Sequence, residues 1–204
     1  MKKLLIPILF AITTLGQSNS CKKTPKMQPT FNTEFPNNTG TWWKYKMYDS
    51  VNLQLDTITI NVVGTTKLDD GTDVSIWAIY SLLNGKDTNY VSNKSDGIKI
   101  YHFKTTTATP IKKYLFPLNV GSKWITYNIL DTNQVTQQGS IAVIAGMFNG
   151  YRINRDTRIP PGLNIIKEDE WFVPNIGMAS RYFFSYSVTG LVSKKWELVS
   201  YFIK

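Results

Sequence analysis

Two stretches decide the fold, FPNNTGTWW at residues 35–43 and FPLNVGSKW at residues 116–124. Both have the pattern F-P-x-N-x-G-x-x-W, and their first residues lie 81 positions apart. Proline lacks an amide hydrogen and fixes φ, whereas glycine permits a positive φ, so the pattern predicts a tight loop that leads into a strand. We therefore expect Trp43 and Trp124 each to open a strand as an aromatic plug of the core.

The segments between and after these loops have the composition and periodicity of β-strands. Apolar and polar residues alternate in 55–63, and 73–83 is rich in β-branched and aromatic residues. Further strands are predicted at 43–48, 97–103, 124–129, 140–145, 151–155 and 194–202. Predicted turns contain the pairs Asp70-Gly71, Asn84-Gly85, Asp96-Gly97, Gln138-Gly139, Asn149-Gly150 and Thr189-Gly190. We expect about ten to twelve antiparallel strands with little helix, arranged as an all-β sandwich or a strongly curved, partly closed sheet.

The repeated motif also predicts how the domain is organised. Two similar meanders, at about 35–115 and 116–204, would share one core, and a looser third copy of the motif occurs at 171–177. Residues 35–204 are enough for one domain that buries roughly 70% of its extended-chain surface.

The start of the chain has the three regions of a secretory leader. Residues 1–3 are positively charged, 4–15 are mostly apolar, and 16–20 are small and polar. The apolar run is too short to span a bilayer, which takes roughly 20 apolar residues. We therefore predict a signal peptide at residues 1–20.

Cys21, the only cysteine, follows this leader directly. Its position resembles the lipoprotein signals of bacteria, in which that cysteine is acylated and becomes the new N-terminus. The alternative is simple secretion after cleavage at Ser18-x-Ser20, which leaves a free thiol in an oxidising compartment. We favour lipidation of Cys21, since a lone cysteine in a secreted chain calls for an explanation. Residues 21–34 contain two prolines and few apolar residues, as a tether does.

The charge balance suggests partners only weakly. Removing Lys2 and Lys3 with the leader lowers the net charge from +9 to +7. Lys22, Lys23 and Lys26 follow the anchor and could each add about 1 kcal/mol of attraction to an anionic membrane. We expect no nucleic-acid partner, because there is no run of five or more like charges, no zinc-finger spacing and no RNP-type motif.

The chain resembles a family of uncharacterised lipoproteins of Bacteroidota-type cell envelopes. The resemblance is carried by the two F-P-x-x-x-G-x-x-W motifs, by Ala145-Gly146-Met147-Phe148 and by the segment 171–178. It implies a β-rich fold and an address in the cell envelope, and it brings no catalytic residues. Bacteroidota lipoproteins destined for the outside of the outer membrane tend to carry acidic residues just after the cysteine. This chain resembles them except that the cysteine is followed by Lys-Lys-Thr-Pro-Lys, which favours an outer-membrane lipoprotein that faces the periplasm.

Most kinds of catalysis are disfavoured by what the sequence lacks. His102 is the only histidine, which excludes a multi-histidine zinc site. The motifs G-x-S-x-G, S-x-x-K, G-x-G-x-x-G and the Walker loop are all absent. In a strand, His102 would lie on the face opposite Tyr101 and Phe103, where a solvent-facing histidine is the expected state. We expect no cofactor and no metal site.

Two acidic clusters remain as candidates for a site. Asp69, Asp70 and Asp73 crowd one turn without the spacing of a calcium loop, so we expect a solvated hairpin tip. Glu168 and Glu170 would share one face of a strand and could supply the carboxylate pair of a glycosidase. They also fit a plain polar entrance to the strand that begins at Trp171.

Aromatic residues are the other candidate for function. We expect Trp43, Trp77, Trp124 and Trp196 to lie mostly in the core, and Trp42 to lie on the opposite face. The sequence thus favours a non-enzymatic envelope lipoprotein that binds an apolar ligand, a glycan or an envelope protein. The alternative is a carboxylate-dependent hydrolase of envelope glycans. The residues proposed to face a ligand are Trp42, His102, Glu168 and Glu170.

Overall fold

The computed structural model describes residues 35–107, 109–126, 131–158, 164–187 and 190–204. The predicted signal peptide, Cys21 and the tether at 21–34 lie outside these ranges, as do the last residues of the strand predicted at 124–129. No helix occurs within the described ranges, and so none there has the length and hydrophobicity needed to cross a membrane.

Antiparallel strands build the whole of the described part, which confirms the predicted all-β class. Their bounds are β1 Trp42–Asp49, β2 Gln54–Lys67, β3 Asp73–Ser81, β4 Gly85–Lys94, β5 Gly97–Tyr101, β6 Lys112–Leu115, β7 Lys123–Ile125, β8 Asp131–Val143, β9 Gly146–Arg158, β10 Asn164–Val173, β11 Gly177–Ser187 and β12 Gly190–Phe202. They form one sheet in the order β6-β5-β4-β3-β2-β1-β12-β11-β10-β9-β8-β7.

The sheet is strongly curved and nearly closes on itself. Neighbouring strands are consecutive in the chain except β1 and β12, which pair and so join the two halves. The strands β6 and β7 are the two edges, and they face each other without pairing as strands. The indole Nε1 of Trp124 on β7 donates to the carbonyl oxygen of Lys113 on β6 at 2.8 Å. Each half is a run of consecutive hairpins, but a repeat relationship between the halves stays a prediction.

The direction of the strands defines two ends of the sheet. Because neighbouring strands are antiparallel, the β1–β2 and β3–β4 connections lie at the same end, which we call the upper end. The described chain begins at Phe35, close before the start of β1, and Asn38 Nδ2 donates to the Lys204 carbonyl at 2.8 Å. Phe35 and the C-terminus therefore lie at the opposite, lower end.

Alternation along the strands separates a core from a solvated face. On β1, Trp43, Tyr45 and Met47 are each only 2% exposed, whereas Lys44 and Lys46 point outward. A period of two is what a strand with one buried face requires. The concave face of the curved sheet therefore holds the hydrophobic core.

The two F-P-x-N-x-G-x-x-W motifs form equivalent loops, as predicted. Gly40 and Gly121 have φ values of +98° and +92°, a region that favours glycine. The Gly40 amide donates to Val62 O, and the Gly121 amide donates to Val135 O, each at 2.8 Å. Trp43 and Trp124 are then the second residues of β1 and β7, and they are 2% and 4% exposed.

The phenylalanines of the motifs meet in the core. The ring of Phe172, in the looser third copy, lies 6.1 Å from that of Phe35 and 5.6 Å from that of Phe116 between centroids. Phe172 is fully buried. The repeated motif therefore brings three distant chain segments to one aromatic centre, and this accounts for the recurrence of its phenylalanine.

Two of the predicted turns are wrong. Gln138-Gly139 lies inside β8 and Asn149-Gly150 lies inside β9, where Gly139 and Gly150 face each other as partners. The hairpin turns instead at Ile144-Ala145, and Gly146 follows with a φ of +137°. Gly150 is required for close packing rather than for a turn, since a Cβ there would lie 2.5 Å from the Phe172 carbonyl oxygen.

Alanine substitution distinguishes these paired glycines. We expect Gly150→Ala to lower the free energy of unfolding by about 1–3 kcal/mol, because the added Cβ must displace the backbone of β10. In Gly139→Ala the nearest atom is the flexible Gln137 amide nitrogen at 3.5 Å. That control should change stability by less than about 0.5 kcal/mol in urea denaturation. Equal losses in both variants would contradict the close approach.

Candidate functional site

A small aromatic cavity lies inside the curved sheet. Its volume is about 180 Å³, and its walls include side chains of β1, β2, β3, β6 and β12. The aromatic residues that line it are Phe35, Trp43, Tyr45, Trp77, Tyr114 and Trp196. Ile111 and Met178 also contribute, and Ile111 is 47% exposed, so the cavity reaches the surface near the start of β6.

Apart from Nε of Arg181, which is ion-paired with Glu168, two buried polar atoms at this cavity have no hydrogen-bond partner within the described part of the chain. They are Oδ1 of Asn89 on β4 and Nε1 of Trp196 on β12. Leaving such an atom unsatisfied costs about 1–3 kcal/mol, so it calls for a water or a ligand group.

Other buried tryptophans of the core are satisfied by the protein itself. Nε1 of Trp43 donates to Ile176 O at 2.6 Å, and Nε1 of Trp77 donates to Asn37 Oδ1 at 2.7 Å. Trp196 differs because its N–H has no such acceptor among the described residues. Its indole therefore provides a free donor for a bound molecule.

A larger but shallower groove lies at the lower end of the sheet. Its volume is about 650 Å³, and it is lined by Asn37, Asn38, Asp73 and Lys204 among others. These polar groups already have partners: Asn38 binds Lys204 O, Asn37 accepts from Trp77, and Asp73 pairs with Lys67 at 2.7 Å. The smaller aromatic cavity is therefore the better candidate for a ligand site.

Beside the cavity lies a cluster of buried charges, which we call the ionic cluster. Its members are Asp131, Glu168 and Glu170 with Lys112, Arg155 and Arg181. The Lys112 ammonium donates to both Glu168 and Glu170. Arg181 Nε lies 2.8 Å from Glu168 Oε1, and Arg155 Nη1 lies 3.7 Å from Glu168 Oε2.

The outer parts of the ionic cluster are also held firmly. Arg155 makes two parallel bonds of 2.7 Å to the Asp131 carboxylate, and the Tyr114 hydroxyl donates to Glu170 Oε1 at 2.5 Å. Three carboxylates face three cations, so the cluster has no net charge. Such compensation is needed because an unpaired buried charge is very costly.

Burial and neighbouring charge shift the pKa values within the cluster. Burial alone would raise the pKa of Glu168, but the charges of Arg181 and Lys112 outweigh it and hold the pKa well below its ordinary value. Burial, followed by the charge of Glu170, raises the pKa of Tyr114 well above its usual range. Glu168 is therefore ionised at neutral pH.

The ionic cluster joins the edge strand β6 to strands of the second half of the sheet. Lys112 and Tyr114 lie on the edge strand β6, whereas Glu168 and Glu170 lie on β10. The strands β6 and β10 are not neighbours in the sheet. Arg155 Nη1 on β9 also donates to the Ile111 carbonyl at 3.3 Å. Side chains thus join β6 to β10, a strand with which it forms no backbone ladder.

Glu168 and Glu170 share one face of their strand, as alternation predicts, but their expected role as a polar entrance is wrong. They lie within β10 with side chains only 2% and 1% exposed. The void beside them measures about 10 Å³, far too small for a sugar ring. A glycosidase acid also needs a raised pKa, whereas that of Glu168 is lowered. The geometry gives these carboxylates a structural role.

The other predicted ligand-facing residues do not line the aromatic cavity. Trp42 is half-buried on the outer face, opposite in direction to Trp43. His102 follows the end of β5 with its side chain 43% exposed, and its Nδ1 lies 3.7 Å from Asp87 Oδ2. Its ring contacts Phe103 edge-on at 4.8 Å.

The acidic hairpin tip binds other parts of the chain. Asp69 accepts bonds from the side chain of Thr105 and from the amide of Thr106, the latter at 2.8 Å. These hydrogen bonds lower the pKa of Asp69 to about 2. Across the described ranges, no group of three or more His, Cys, Asp or Glu residues is placed to hold a metal ion.

Sequence reasoning missed the cations of the ionic cluster and Asn89. A signal for two of the cations exists, because each of them lies two residues from a buried residue of its own strand. Lys112 precedes Tyr114 and Arg155 follows Ile153 at this spacing. Alternation therefore turns Lys112 and Arg155 inward, which is an unusual position for a charge. It does not predict the direction of Arg181, because a register shift at Ala179 interrupts β11 before this residue.

The fold resembles two crystal structures of proteins from the Bacteroides group. One is a predicted lipoprotein from Parabacteroides distasonis ATCC 8503, 17% identical with a TM-score of 0.52. The other is a predicted exported protein with a YmcC-like fold from Bacteroides fragilis NCTC 9343, 13% identical with a TM-score of 0.52. Each match covers 86% of this chain and 100% of the other. At this identity the likeness shows a shared fold. No protein-family model and no curated protein matches the sequence.

Replacing Lys112 tests the ionic cluster. We expect Lys112→Met to lower the free energy of unfolding by about 3–5 kcal/mol at pH 7, because two buried carboxylates lose a shared cation. The matched variant Lys113→Met removes a neighbouring ammonium that the cluster does not use, and should change stability by about 0.5 kcal/mol or less.

The difference in stability between the wild type and Lys112→Met should depend on pH. The pKa of Glu168 is lower in the folded state than in the unfolded state, where a glutamate has a pKa of about 4.3. This difference stabilises the wild type above that pH, and the stabilisation is lost as pH falls from there toward the folded pKa. Lys112→Met raises the folded pKa of Glu168 toward the unfolded value, so the gap between the two proteins should shrink as pH falls below about 4. A gap that stays constant as pH falls from about 4 to about 2 would contradict the assignment.

Proposed function

We propose that this protein is a non-enzymatic, lipid-anchored envelope protein that binds a small, mostly apolar ligand group in its aromatic cavity. The observation that carries the proposal is the pair of buried, unpartnered atoms at this cavity, Trp196 Nε1 and Asn89 Oδ1. A concave apolar pocket with a few convergent polar groups is the usual form of a small-molecule site.

The volume limits the size of the bound group. Drug-sized ligands occupy pockets of about 300–1,000 Å³, whereas this cavity holds about 180 Å³. An apolar cavity of about 150 Å³ accommodates benzene. The bound group is therefore one ring or a short aliphatic segment, and a larger ligand would leave the rest of its structure outside.

The polar atoms limit the chemistry of the group. Trp196 Nε1 is a donor and Asn89 Oδ1 is an acceptor, so the ligand offers both an acceptor and a donor. Hydroxyl and amide groups meet this requirement. Because the ionic cluster beside the cavity is already neutral, the bound group carries no charge.

The cellular address rests on the sequence of the N-terminus. The leader at 1–20 and the lone Cys21 support acylation, and the lysines that follow favour the periplasmic face of the outer membrane. The likeness in fold to a predicted lipoprotein of Parabacteroides and a predicted exported protein of Bacteroides agrees with this address. A carboxylate-dependent hydrolase gains no support, since Glu168 and Glu170 are buried and paired.

Native mass spectrometry of the protein from its own envelope tests the proposal. We expect a reproducible non-covalent adduct, and Trp196→Phe should weaken its binding by about 2–12-fold, the effect of losing one hydrogen bond while keeping an aromatic wall. The control is Trp42→Phe, on the outer face, which should bind like the wild type.

Three results would contradict this account in different ways. Absence of any adduct would contradict a ligand in the cavity, and equal weakening by both substitutions would contradict the assignment of the Trp196 donor. The same spectra report the covalent mass, so an unmodified Cys21 would overturn the lipid anchor and leave the cavity proposal untouched.

A further inference from the structure

Exposed aliphatic side chains cluster at the upper end of the sheet. They are Val51, Leu53 and Leu55 at the β1–β2 hairpin with Leu82 and Leu83 at the β3–β4 hairpin, which we call the leucine tips. Leu53 and Leu82 are 75% and 81% exposed, among the most exposed large apolar side chains of the described chain. Single exposed apolar residues are ordinary, but a contiguous group marks an interaction surface.

The two leucine tips are held side by side. Asp56, buried on β2, accepts a bond from the Ser81 hydroxyl at 2.5 Å and from the Leu82 amide at 2.9 Å. Because Ser81 ends β3, this carboxylate fixes the β3–β4 tip against the β1–β2 hairpin. The surface is therefore a built feature of the sheet.

The backbone of the first tip is also fixed. Asp49 Oδ1 accepts from the amides of Val51 at 3.0 Å and Asn52 at 3.1 Å. Leu53 follows with a φ of +53°, a region that a leucine rarely occupies. The turn thus holds a large apolar side chain in solvent at some conformational cost.

Charged side chains around the leucine tips are sorted by sign. Exposed lysines Lys44 and Lys86 line an outer groove of about 550 Å³ next to Leu82, and no acidic residue lines that groove. Lys86 Nζ also lies 5.7 Å above the Tyr80 ring. The outer surface beside Leu82 is therefore basic.

The acidic groups at this end point elsewhere. Asp49 and Asp56 are buried and bind the hairpins described above. Asp87 alternates with Lys86 along β4, so its side chain leaves the opposite face, where it lies 3.7 Å from His102 Nδ1. An anion that approaches the outer groove therefore meets cations without acidic competitors.

We propose that the leucine tips and the adjoining lysines dock onto an anionic phospholipid bilayer. Aliphatic side chains on projecting turns enter the boundary between headgroups and acyl chains, and nearby lysines attract the phosphates. Leucine is under-represented among the residues that dominate protein interfaces, which favours lipid over a protein partner. The tips lie at the end opposite Phe35, so this contact is separate from an anchor at Cys21.

Vesicle sedimentation tests the docking surface. The probe is the chain from residue 21 onward with Cys21→Ser, so that no acyl group contributes, mixed with vesicles of phosphatidylcholine alone or of phosphatidylcholine with phosphatidylglycerol. We expect binding to the anionic vesicles that weakens with added salt. Combining Leu53→Asn with Leu82→Asn should weaken it about tenfold or more, and asparagine tolerates the positive φ of position 53.

Matched controls separate this surface from general stickiness. Met147 is 75% exposed, the same fraction as Leu53, but lies at the lower end, so Met147→Asn should bind like the unsubstituted probe. Combining Lys44→Glu with Lys86→Glu should weaken binding to anionic vesicles about tenfold or more, while Lys123→Glu, an exposed lysine of β7 that does not line this groove, should have little effect.

Two results would contradict docking of the leucine tips onto a bilayer. The proposal would be overturned if the double leucine variant and the Met147 variant bound the anionic vesicles equally well. It would also be overturned if the protein bound vesicles of phosphatidylcholine alone and the lysine substitutions did not weaken that binding. Circular dichroism confirms that each variant is folded. If the double leucine variant is not, Leu82→Asn alone supplies the test, because Leu82 has an ordinary backbone conformation.

Discussion

The fold depends on a charge contact made where backbone pairing ends. The Lys112 ammonium, on the short edge strand β6, lies between the carboxylates of Glu168 and Glu170 on β10. A curved sheet with two free edges exposes unpaired backbone groups and an open interior. Here the ionic cluster connects the edge strand β6 to β10, and the indole of Trp124 connects it to β7, the other edge. The aromatic core and its cavity are enclosed because this connection exists.

Closing a sheet with charges has physical consequences that closing it with hydrogen-bonded strands does not. Buried ion pairs stabilise little in net terms, since desolvation offsets their attraction, but loss of one partner is severely destabilising. The cluster therefore specifies how the edges meet more than it adds to stability. Because the ionic cluster has no net charge, it imposes no strong electrostatic field on the neighbouring cavity. This suits an uncharged ligand group. The edges and the binding site are thus coupled through Lys112 and Tyr114.

The sequence predicted the local features of this molecule and missed those that arise from long-range contact. Alternation identified the inward face of β1, and the proline and glycine of the repeated motif identified its loops, because both signals are local. The pair Gly139 and Gly150 was misread, since a glycine needed for close packing has the same local signature as one needed for a turn. Glu168 and Glu170 were placed on one face, but their cations come from β6, β9 and β11.

The cavity illustrates the same limit. Trp196 could be assigned to the core from its strand. That its N–H lacks an acceptor, unlike those of Trp43 and Trp77, can be recognised only from the folded structure. The partners of Glu170 lie 56 and 58 residues away along the chain, and no local pattern connects them. The loops of the repeated motif could be predicted from the sequence. The ion pairs between β6 and β10 could be identified only from the three-dimensional arrangement of the sheet.

Hydrogen–deuterium exchange of the wild type and Lys112→Met, followed peptide by peptide at one pH, tests most directly whether the ionic cluster holds the edges together. Our account predicts that amides of β6 and β7 exchange faster in the variant, while those of β1 and β12, in the middle of the sheet, keep their protection. Faster exchange spread evenly over all strands, or unchanged protection at β6 and β7, would contradict closure by the ionic cluster.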